Sequence, residues 1–248
     1  MTTSNQTSSR TLSTLQFTTT DNYSQNLQTL RTHLHNTADD AIVVAPEVCL
    51  TDFAYDNFEE AIAFSQEALE LLLLEVKNRV LIFTMLEHQG DGVFNVVKVL
   101  HQGEVIHQQS KSKLFKLGNE HHYFRSGVVN DIAVFEVDGI KIGILVCFEL
   151  RFKELWIQLE GADIICVTAR WGAPRSEAFR LLSSALSVVN QCYVLASDAS
   201  NTECTSLSGI ISPMGTDSRN GNAPCLSVAY NQKEIKRIRR YLDVGIHG

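Results

Sequence analysis

The fold of this chain is decided by residues 139–149, Gly-Ile-Lys-Ile-Gly-Ile-Leu-Val-Cys-Phe-Glu. The apolar run ends abruptly at Cys147 and charged residues follow at once, which is typical of a buried strand that leaves its sheet at this point. In open α/β sheets, functional side chains gather at the carboxyl ends of the strands, so a thiol here is a candidate nucleophile. A free cysteine also packs as a small apolar side chain. The position alone therefore leaves a catalytic and a structural role open.

Composition places the chain among globular proteins that bury a substantial core. It has 248 residues, of which 44% are hydrophobic and 20% charged, and this fits one large α/β domain. The formal net charge of -7 leaves no excess of Lys and Arg to neutralise phosphates, so no nucleic acid partner is expected. No apolar run approaches the roughly 20 residues that span a bilayer, so no membrane partner is expected either.

The N-terminal residues 1–11 are predicted to be a lead-in, disordered or locally ordered, before a single domain over residues 12–248. This segment is rich in Ser and Thr and lacks the apolar centre of a secretory signal peptide. The six cysteines of the chain are widely spaced and include no Cys-x-x-Cys pair. We therefore expect reduced thiols and a cytoplasmic location.

Strand-like and helix-like segments alternate along the chain. Apolar residues at helical spacing predict helices over residues 22–34, 58–76, 152–159 and 176–190. Short apolar runs bounded by turn residues predict strands over residues 12–18, 40–45, 80–87, 93–100, 104–109, 132–137, 141–146, 162–167, 193–197, 208–212 and 225–229. The Asp138-Gly139 pair is a strong signal for a two-residue hairpin turn. Crossover helices combined with hairpins predict mixed sheets covered by helices.

Four segments carry ionisable side chains at places that core packing does not explain. Glu47 follows a buried strand, Lys111 lies in a loop after another strand, Glu120 precedes two histidines, and Cys147 ends the apolar run. A carboxylate, an ammonium and a thiol are sufficient for acyl transfer through a thioester. In such a site Glu47 would accept the thiol proton, and Lys111 would stabilise the oxyanion with a backbone N–H just after the cysteine.

In their order along the chain, these segments resemble the motifs of the nitrilase, or carbon–nitrogen hydrolase, superfamily with its Glu-Lys-Cys triad. Pro46-Glu47 resembles the general-base motif. Residues 111–115, Lys-Ser-Lys-Leu-Phe, are similar to Lys-x-His-Leu-Phe, which makes Lys111 the catalytic lysine. Residues 120–127 resemble the second glutamate segment, and residues 143–152 resemble the nucleophile motif Gly-x-x-x-Cys-Tyr-Asp-x-Arg-Phe. The resemblance covers nearly the whole chain.

The resemblance implies an α/β fold, a four-layer αββα sandwich of two mixed β-sheets flanked by helices. It implies a homodimer, or a higher homo-oligomer, that pairs through the helical layers. It also implies hydrolysis of a non-peptide carbon–nitrogen bond in a small-molecule amide substrate, with neither a metal nor an organic cofactor.

The same resemblance assigns roles to individual residues. Cys147 attacks the carbonyl carbon, and Glu47 passes the thiol proton to the departing amine. Lys111 holds the oxyanion together with the N–H of Phe148, and water activated by Glu47 then releases the acid. Residues expected to position the substrate or to form the rim of the site are Glu120, Phe148, Glu149 and Arg151.

The sequence departs from the family pattern at positions around the triad. Lys113 stands where the family usually has His, Lys153 stands where Pro usually follows the Arg-Phe pair, and Asp52 replaces a common glycine. We expect these departures to affect the packing around the pocket and the choice of substrate, because such positions support the reacting groups.

The motif Cys-x-(Asp/Glu)-x-Arg-Phe is most similar to omega-amidase-like branches, whose substrates are omega-amides of dicarboxylic acids. An N-carbamoyl amino acid amidohydrolase is the alternative enzyme. A catalytically silent binding protein that keeps the triad by descent is the alternative from another class. The basic residues between 233 and 240 are interpreted as a solvated or subunit-contacting tail segment.

Overall fold

The computed structural model describes residues 10–246, and its strands form two six-stranded sheets. The first sheet contains β1 (Thr11–Leu15), β2 (Ile42–Val44), β3 (Val80–Gln89), β4 (Gly92–His101), β5 (Glu104–Ser110) and β12 (Cys225–Ala229), in the order β12-β1-β2-β3-β4-β5. The second contains β6 (Phe135–Val137), β7 (Ile140–Val146), β8 (Ile164–Ala169), β9 (Tyr193–Asp198), β10 (Gly209–Ile211) and β11 (Asp217–Arg219), in the order β11-β10-β9-β8-β7-β6.

Both sheets are mixed, as the combination of crossovers and hairpins predicts. The central strands β1, β2 and β3 of the first sheet are parallel, and so are β7, β8 and β9 of the second. Antiparallel strands complete each sheet toward its edges. The carboxyl ends of β2, β5, β7 and β8 therefore lie on the same side of the molecule, where side chains from both sheets can meet.

The helices cover the outer faces of the two sheets. They are α1 (Tyr23–His35), α2 (Phe58–Val76), α3 (Glu120–Tyr123), α4 (Lys153–Gln158), α5 (Ser176–Asn190) and α6 (Gln232–Tyr241). The apolar faces of α1 and α2 pack on the first sheet, and those of α4 and α5 pack on the second. The predicted four-layer αββα sandwich is confirmed. No helix between residues 10 and 246 is both long enough and apolar enough to cross a bilayer.

The side chains of β2 alternate between the two faces of the first sheet, and this shows why the sequence forms two core layers. Ile42 and Val44 belong to the core between the sheets, whereas Val43 packs with the helices α1 and α2. All three side chains are completely buried. Because successive side chains of a strand point to opposite faces, a strand that is apolar throughout must be covered on both sides.

The Asp138-Gly139 pair forms the predicted hairpin turn between β6 and β7. Asp138 has φ 49° and Gly139 has φ 78°. Positive φ at both central residues is the backbone conformation of a type I′ turn, which matches the right-handed twist of the paired strands.

Several parts of the structure differ from the sequence prediction, among them the short helix α3, which was not predicted. The predicted strand over residues 132–137 is ordered as a strand only over Phe135–Val137, after a short 3₁₀ turn at Val129–Asp131. The short edge strand β11 was not predicted. The basic segment near the C-terminus forms the helix α6, which buries Ile235 and Ile238 and was not predicted as a helix.

The predicted lead-in over residues 1–11 falls mostly outside the described residues, which begin at Arg10. Thr11 already belongs to β1. The Arg10 guanidinium is buried and donates hydrogen bonds to the carbonyl oxygens of Asp40 and Asn78. The chain is therefore anchored to the first sheet from Arg10 onward.

Candidate active site

The side chains of Glu47, Lys111 and Glu120 meet at the carboxyl ends of the strands. Glu47 follows β2, Lys111 follows β5, and Glu120 is the first residue of α3. The Lys111 Nζ donates hydrogen bonds of 2.8 Å to Glu47 Oε1 and 2.8 Å to Glu120 Oε1. Lys111 and Glu47 are 0% exposed. A buried ammonium between two carboxylates holds all three side chains in one geometry.

The carboxylate of Glu47 is oriented by groups from both sheets. Asn95 of β4 donates from Nδ2 to Oε1 at 2.8 Å, and the main-chain N–H of Arg170 donates to Oε2 at 3.2 Å. The N–H of Glu47 itself donates to the carbonyl oxygen of Ala169, at the end of β8. These hydrogen bonds fix the orientation of the carboxylate.

Cys147 lies directly after β7 with φ 46°, in the left-handed region. A non-glycine residue in this conformation is strained, and such strain is common at reactive sites. Burial raises the pKa of the Cys147 thiol well above its usual value, and the Glu47 carboxylate raises it further. The Lys111 ammonium and the Arg170 N–H act in the opposite direction. At rest the sulfur therefore carries its proton, beside a carboxylate that can accept it.

The charges of Lys111 and Glu120 depend on each other. Burial by itself lowers the pKa of Lys111, but the carboxylates of Glu47 and Glu120 more than compensate and raise it above its ordinary value. Burial raises the pKa of Glu120, and the Lys111 ammonium opposes this. Glu120 Oε2 also accepts the N–H of Phe115 at 2.9 Å. Lys111 therefore stays a cation although its side chain is completely buried.

Glu149 lies behind the site, not at its rim. It is completely buried, and its Oε1 accepts the N–H of Ser112 at 2.6 Å and the hydroxyl of Ser112 at 2.8 Å. Its Oε2 accepts the N–H of Val146 at 2.7 Å. Because Ser112 is adjacent to Lys111 and Val146 is adjacent to Cys147, this carboxylate connects the two segments that carry the reacting groups.

A cavity of about 260 Å³ opens above Cys147. Cys147 and Glu120 lie in its lining, together with aromatic walls formed by Phe53, Tyr55, Phe115, Phe148 and Trp171. The ring of Phe148 is part of this lining. The size and the largely aromatic walls suit a small organic molecule with a short carbon chain.

Three arginines also line this cavity. The guanidinium of Arg151 lies 5.1 Å from the ring centre of Trp171, and that of Arg175 lies 5.0 Å from the ring centre of Phe115. Within residues 10–246 neither guanidinium forms an ion pair with a carboxylate. Arg170, in contrast, is paired with acidic side chains of two loops. The mouth of the cavity therefore carries uncompensated positive charge.

Sequence reasoning missed several of these residues. Asn95, Arg170, Trp171 and Arg175 belong to the site but were not predicted. Arg170 and Trp171 directly follow the carboxyl end of β8, which is the same signal that identified Glu47 and Cys147. Asn95 was detectable as a buried polar residue within an apolar strand.

Two of the residues that depart from the family pattern, Asp52 and Lys113, form ion pairs. Asp52 pairs with Arg170, with 2.8 Å between Oδ2 and the guanidinium. Lys113 pairs with Glu154 at 3.2 Å and lies over the ring of Phe152 at 4.8 Å. Across residues 10–246, no three His, Cys, Asp or Glu side chains come together as ligands for a metal ion.

Comparisons with known proteins agree with this geometry. A family model described as carbon-nitrogen hydrolase matches residues 9–223. The chain belongs to the carbon–nitrogen hydrolase family. Relatives include a 2-oxoglutaramate amidase of Bacillus subtilis (strain 168), which is 27% identical over 186 residues that cover 70% of this chain and 71% of the relative. The omega-amidase YafV of Escherichia coli (strain K12) is 26% identical over 181 residues that cover 70% of each chain.

Solved structures of the carbon–nitrogen hydrolase superfamily share the fold. XC1258 of Xanthomonas campestris, whose crystal structure has an arsenic adduct in the active site, aligns with a TM-score of 0.82 and 19% identity over 94% of both chains. Nit3 of Saccharomyces cerevisiae aligns with a TM-score of 0.81 and 18% identity over 95% of this chain and 94% of Nit3. Together with its amidase relatives, the family match shows that this carbon–nitrogen hydrolase is an amidase-type enzyme.

Proposed function

We propose that this carbon–nitrogen hydrolase cleaves the carboxamide of a small linear amide through a thioester on Cys147 and releases ammonia. The observation that carries the proposal is the buried Lys111 ammonium, held 2.8 Å from both Glu47 and Glu120 and next to the Cys147 thiol. This arrangement supplies a base, a nucleophile and a fixed positive charge within one buried site.

The proposed reaction has two halves, formation of the thioester and its hydrolysis, and Glu47 accepts and returns a proton in each. The Cys147 sulfur attacks the carbonyl carbon while Glu47 takes the thiol proton, and the Lys111 ammonium and the Phe148 N–H stabilise the oxyanion. The tetrahedral species collapses, the carbon–nitrogen bond breaks, and the proton on Glu47 leaves with ammonia. Glu47 then takes a proton from water, whose oxygen attacks the thioester. The acid is released and the thiol regains its proton, so the sum is amide plus water to acid plus ammonia.

The substrate is proposed to be an omega-amide of a small dicarboxylic acid. Arg151 and Arg175 lie at the cavity without carboxylate partners among the described residues, so they can bind the free carboxylate of such a substrate. The names 2-oxoglutaramate amidase and omega-amidase of the two relatives point to the same substrate class. An N-carbamoyl amino acid also carries a carboxylate and could use the same arginines, so it remains the second candidate.

A substrate panel tests the proposal. Omega-amides of dicarboxylic acids, simple neutral amides and N-carbamoyl amino acids are assayed for ammonia and for carbon dioxide. We expect ammonia alone, fastest from the omega-amides, and a loss of at least about 10³-fold in turnover for C147A and E47Q. Carbon dioxide released with the ammonia would favour the carbamoyl reaction. Turnover in C147A equal to that of the wild type would exclude the thioester.

A homodimer paired through its helical layers is the second part of the proposal. The apolar side chains of Ile157 on α4 and of Leu181, Val188 and Val189 on α5 are each more than half exposed on this helical layer. Sedimentation of the wild type is expected to give a dimer and that of V188E a monomer. The control is L74E, because Leu74 is an even more exposed apolar residue on α2, in the opposite helical layer. Identical sedimentation of V188E and the wild type would contradict this pairing.

A further inference from the structure

Arg170 connects two loops at the wall of the cavity. Its guanidinium lies 2.8 Å from Asp52 Oδ2, 2.6 Å from Glu203 Oε1 and 3.1 Å from Asn201 Oδ1. Asp52 belongs to the loop after β2, while Asn201 and Glu203 belong to the loop after β9. The Arg170 side chain is only 9% exposed, whereas the side chains of Asp52 and Glu203 are 37% and 63% exposed. A guanidinium with three fixed partners has little freedom to move.

The main-chain N–H of the same residue binds the carboxylate of Glu47. The Arg170 N–H donates to Glu47 Oε2 at 3.2 Å. Burial is the main cause that raises the pKa of the Cys147 thiol, and a hydrogen bond from this N–H opposes the increase. The position of one backbone amide therefore affects both the base and the nucleophile.

Asp52, the acidic partner of Arg170, has an unfavourable backbone conformation. Its φ is 55°, in the left-handed region that glycine adopts without strain. Asp is among the few other residues that tolerate it. Asp52 Oδ1 accepts the N–H of Phe53 at 2.8 Å, and this leaves Oδ2 for Arg170. The aspartate thus stabilises the cavity wall at Phe53 and supplies the acidic partner that a glycine lacks.

We propose that Asp52 and Arg170 form a positioning pair, in which the ion pair at the cavity wall aligns the Arg170 main-chain N–H against Glu47 and Cys147. Neither residue takes part in bond making. This inference rests on the proposed function only where turnover is measured, because the reactivity of the Cys147 sulfur can be followed without a substrate.

The test measures alkylation of Cys147 by iodoacetamide as a function of pH, with the modified peptide identified by mass spectrometry. In D52N the amide keeps an oxygen for the Phe53 N–H but loses the negative charge toward Arg170. We expect the pH midpoint of Cys147 alkylation to rise by about half to one pH unit, as for the loss of one hydrogen bond to the sulfur. We expect kcat for the best amide to fall about 10-fold to 100-fold, with KM changed less than about two-fold.

Companion variants separate positioning from stability. D52G also removes the ion pair but relieves the backbone strain, so its Tm should equal or exceed that of the wild type while the alkylation midpoint still rises. E203Q removes a more exposed partner and should give a smaller shift in the same direction. The control is D56N, because Asp56 is exposed in the same loop as Asp52.

The proposal is overturned if D52N and D52G alkylate with the midpoint of the wild type, or if D56N shifts it equally. A shifted midpoint in D52N and D52G, with D56N unchanged, supports it. If C147A retains full turnover, the proposed thioester mechanism fails, whereas the alkylation results still decide whether the pair positions the N–H.

Discussion

Replacing Glu149 by Gln exchanges one carboxylate oxygen for an NH₂ group in a buried side chain that supports the site. The buried carboxylate accepts three hydrogen bonds, from the N–H and hydroxyl of Ser112 and from the N–H of Val146. A glutamine side chain has one acceptor oxygen, and its NH₂ group cannot accept. At least one buried N–H is therefore left without a partner in E149Q.

The size of the effect follows from these contacts. A hydrogen bond to a charged group contributes about 1.5–3 kcal/mol, and a buried donor without a partner costs about 1–3 kcal/mol. Burial raises the pKa of Glu149, so neutralising the side chain recovers part of this loss. We expect the free energy of unfolding to fall by about 2–3 kcal/mol, which lowers Tm by about 4–12 °C in a domain of this size.

Activity should fall through geometry, because Glu149 does not reach the substrate. Displacing Lys111 relative to Cys147 by about 1 Å is enough to reduce kcat about 100-fold, and KM should change less than about two-fold. Thermal unfolding and steady-state release of ammonia measure the two effects. E160Q is the matched control, since Glu160 is exposed after α4 and its Tm and kcat should not change.

Two results would refute this reasoning. A Tm for E149Q within about 1 °C of the wild type would mean that the three hydrogen bonds contribute little. A KM raised about 10-fold with kcat unchanged would mean that Glu149 contacts the substrate, as the sequence analysis expects of a residue at the rim.

Three further predictions follow from the same structure. A Cβ at Gly127 would lie 2.2 Å from the carbonyl oxygen of Ser110, and the Gly127 N–H donates to the carbonyl oxygen of Lys111. G127A should therefore displace Lys111 and lower both Tm and kcat, and unchanged values would contradict this. Burial raises the pKa of Asp198 to about 6. The protonated Asp198 side chain therefore contributes stability at low pH, and this contribution is lost as the pH rises from about 4 to about 6. Chemical unfolding of the wild type should show this decline in stability, and that of D198N should not. The raised pKa of the Cys147 thiol predicts that its alkylation rate still increases above pH 9, and a plateau near neutral pH would refute a protonated resting thiol.

Local patterns predicted much of the secondary structure. The helices over 58–76 and 176–190 have the predicted boundaries, because their apolar residues repeat at the helical period over many turns. The helix α6 escaped prediction because it is rich in charge and only Ile235 and Ile238 are buried, so its stability depends on the surface against which it packs. The strand β11 has three residues and is defined by pairing with β10.

The sequence by itself determined the α/β class, the buried strands, and the position of Glu47 and Cys147 at strand ends. Such features depend on the spacing of apolar residues along a continuous segment. Only the tertiary structure decided that Glu149 supports the site from behind, and that Arg170 reaches Glu47 across 123 positions of the chain. The physical reason is that burial and hydrogen-bond partners depend on which loops meet in space, and residues far apart in the chain do not encode that proximity in any local pattern.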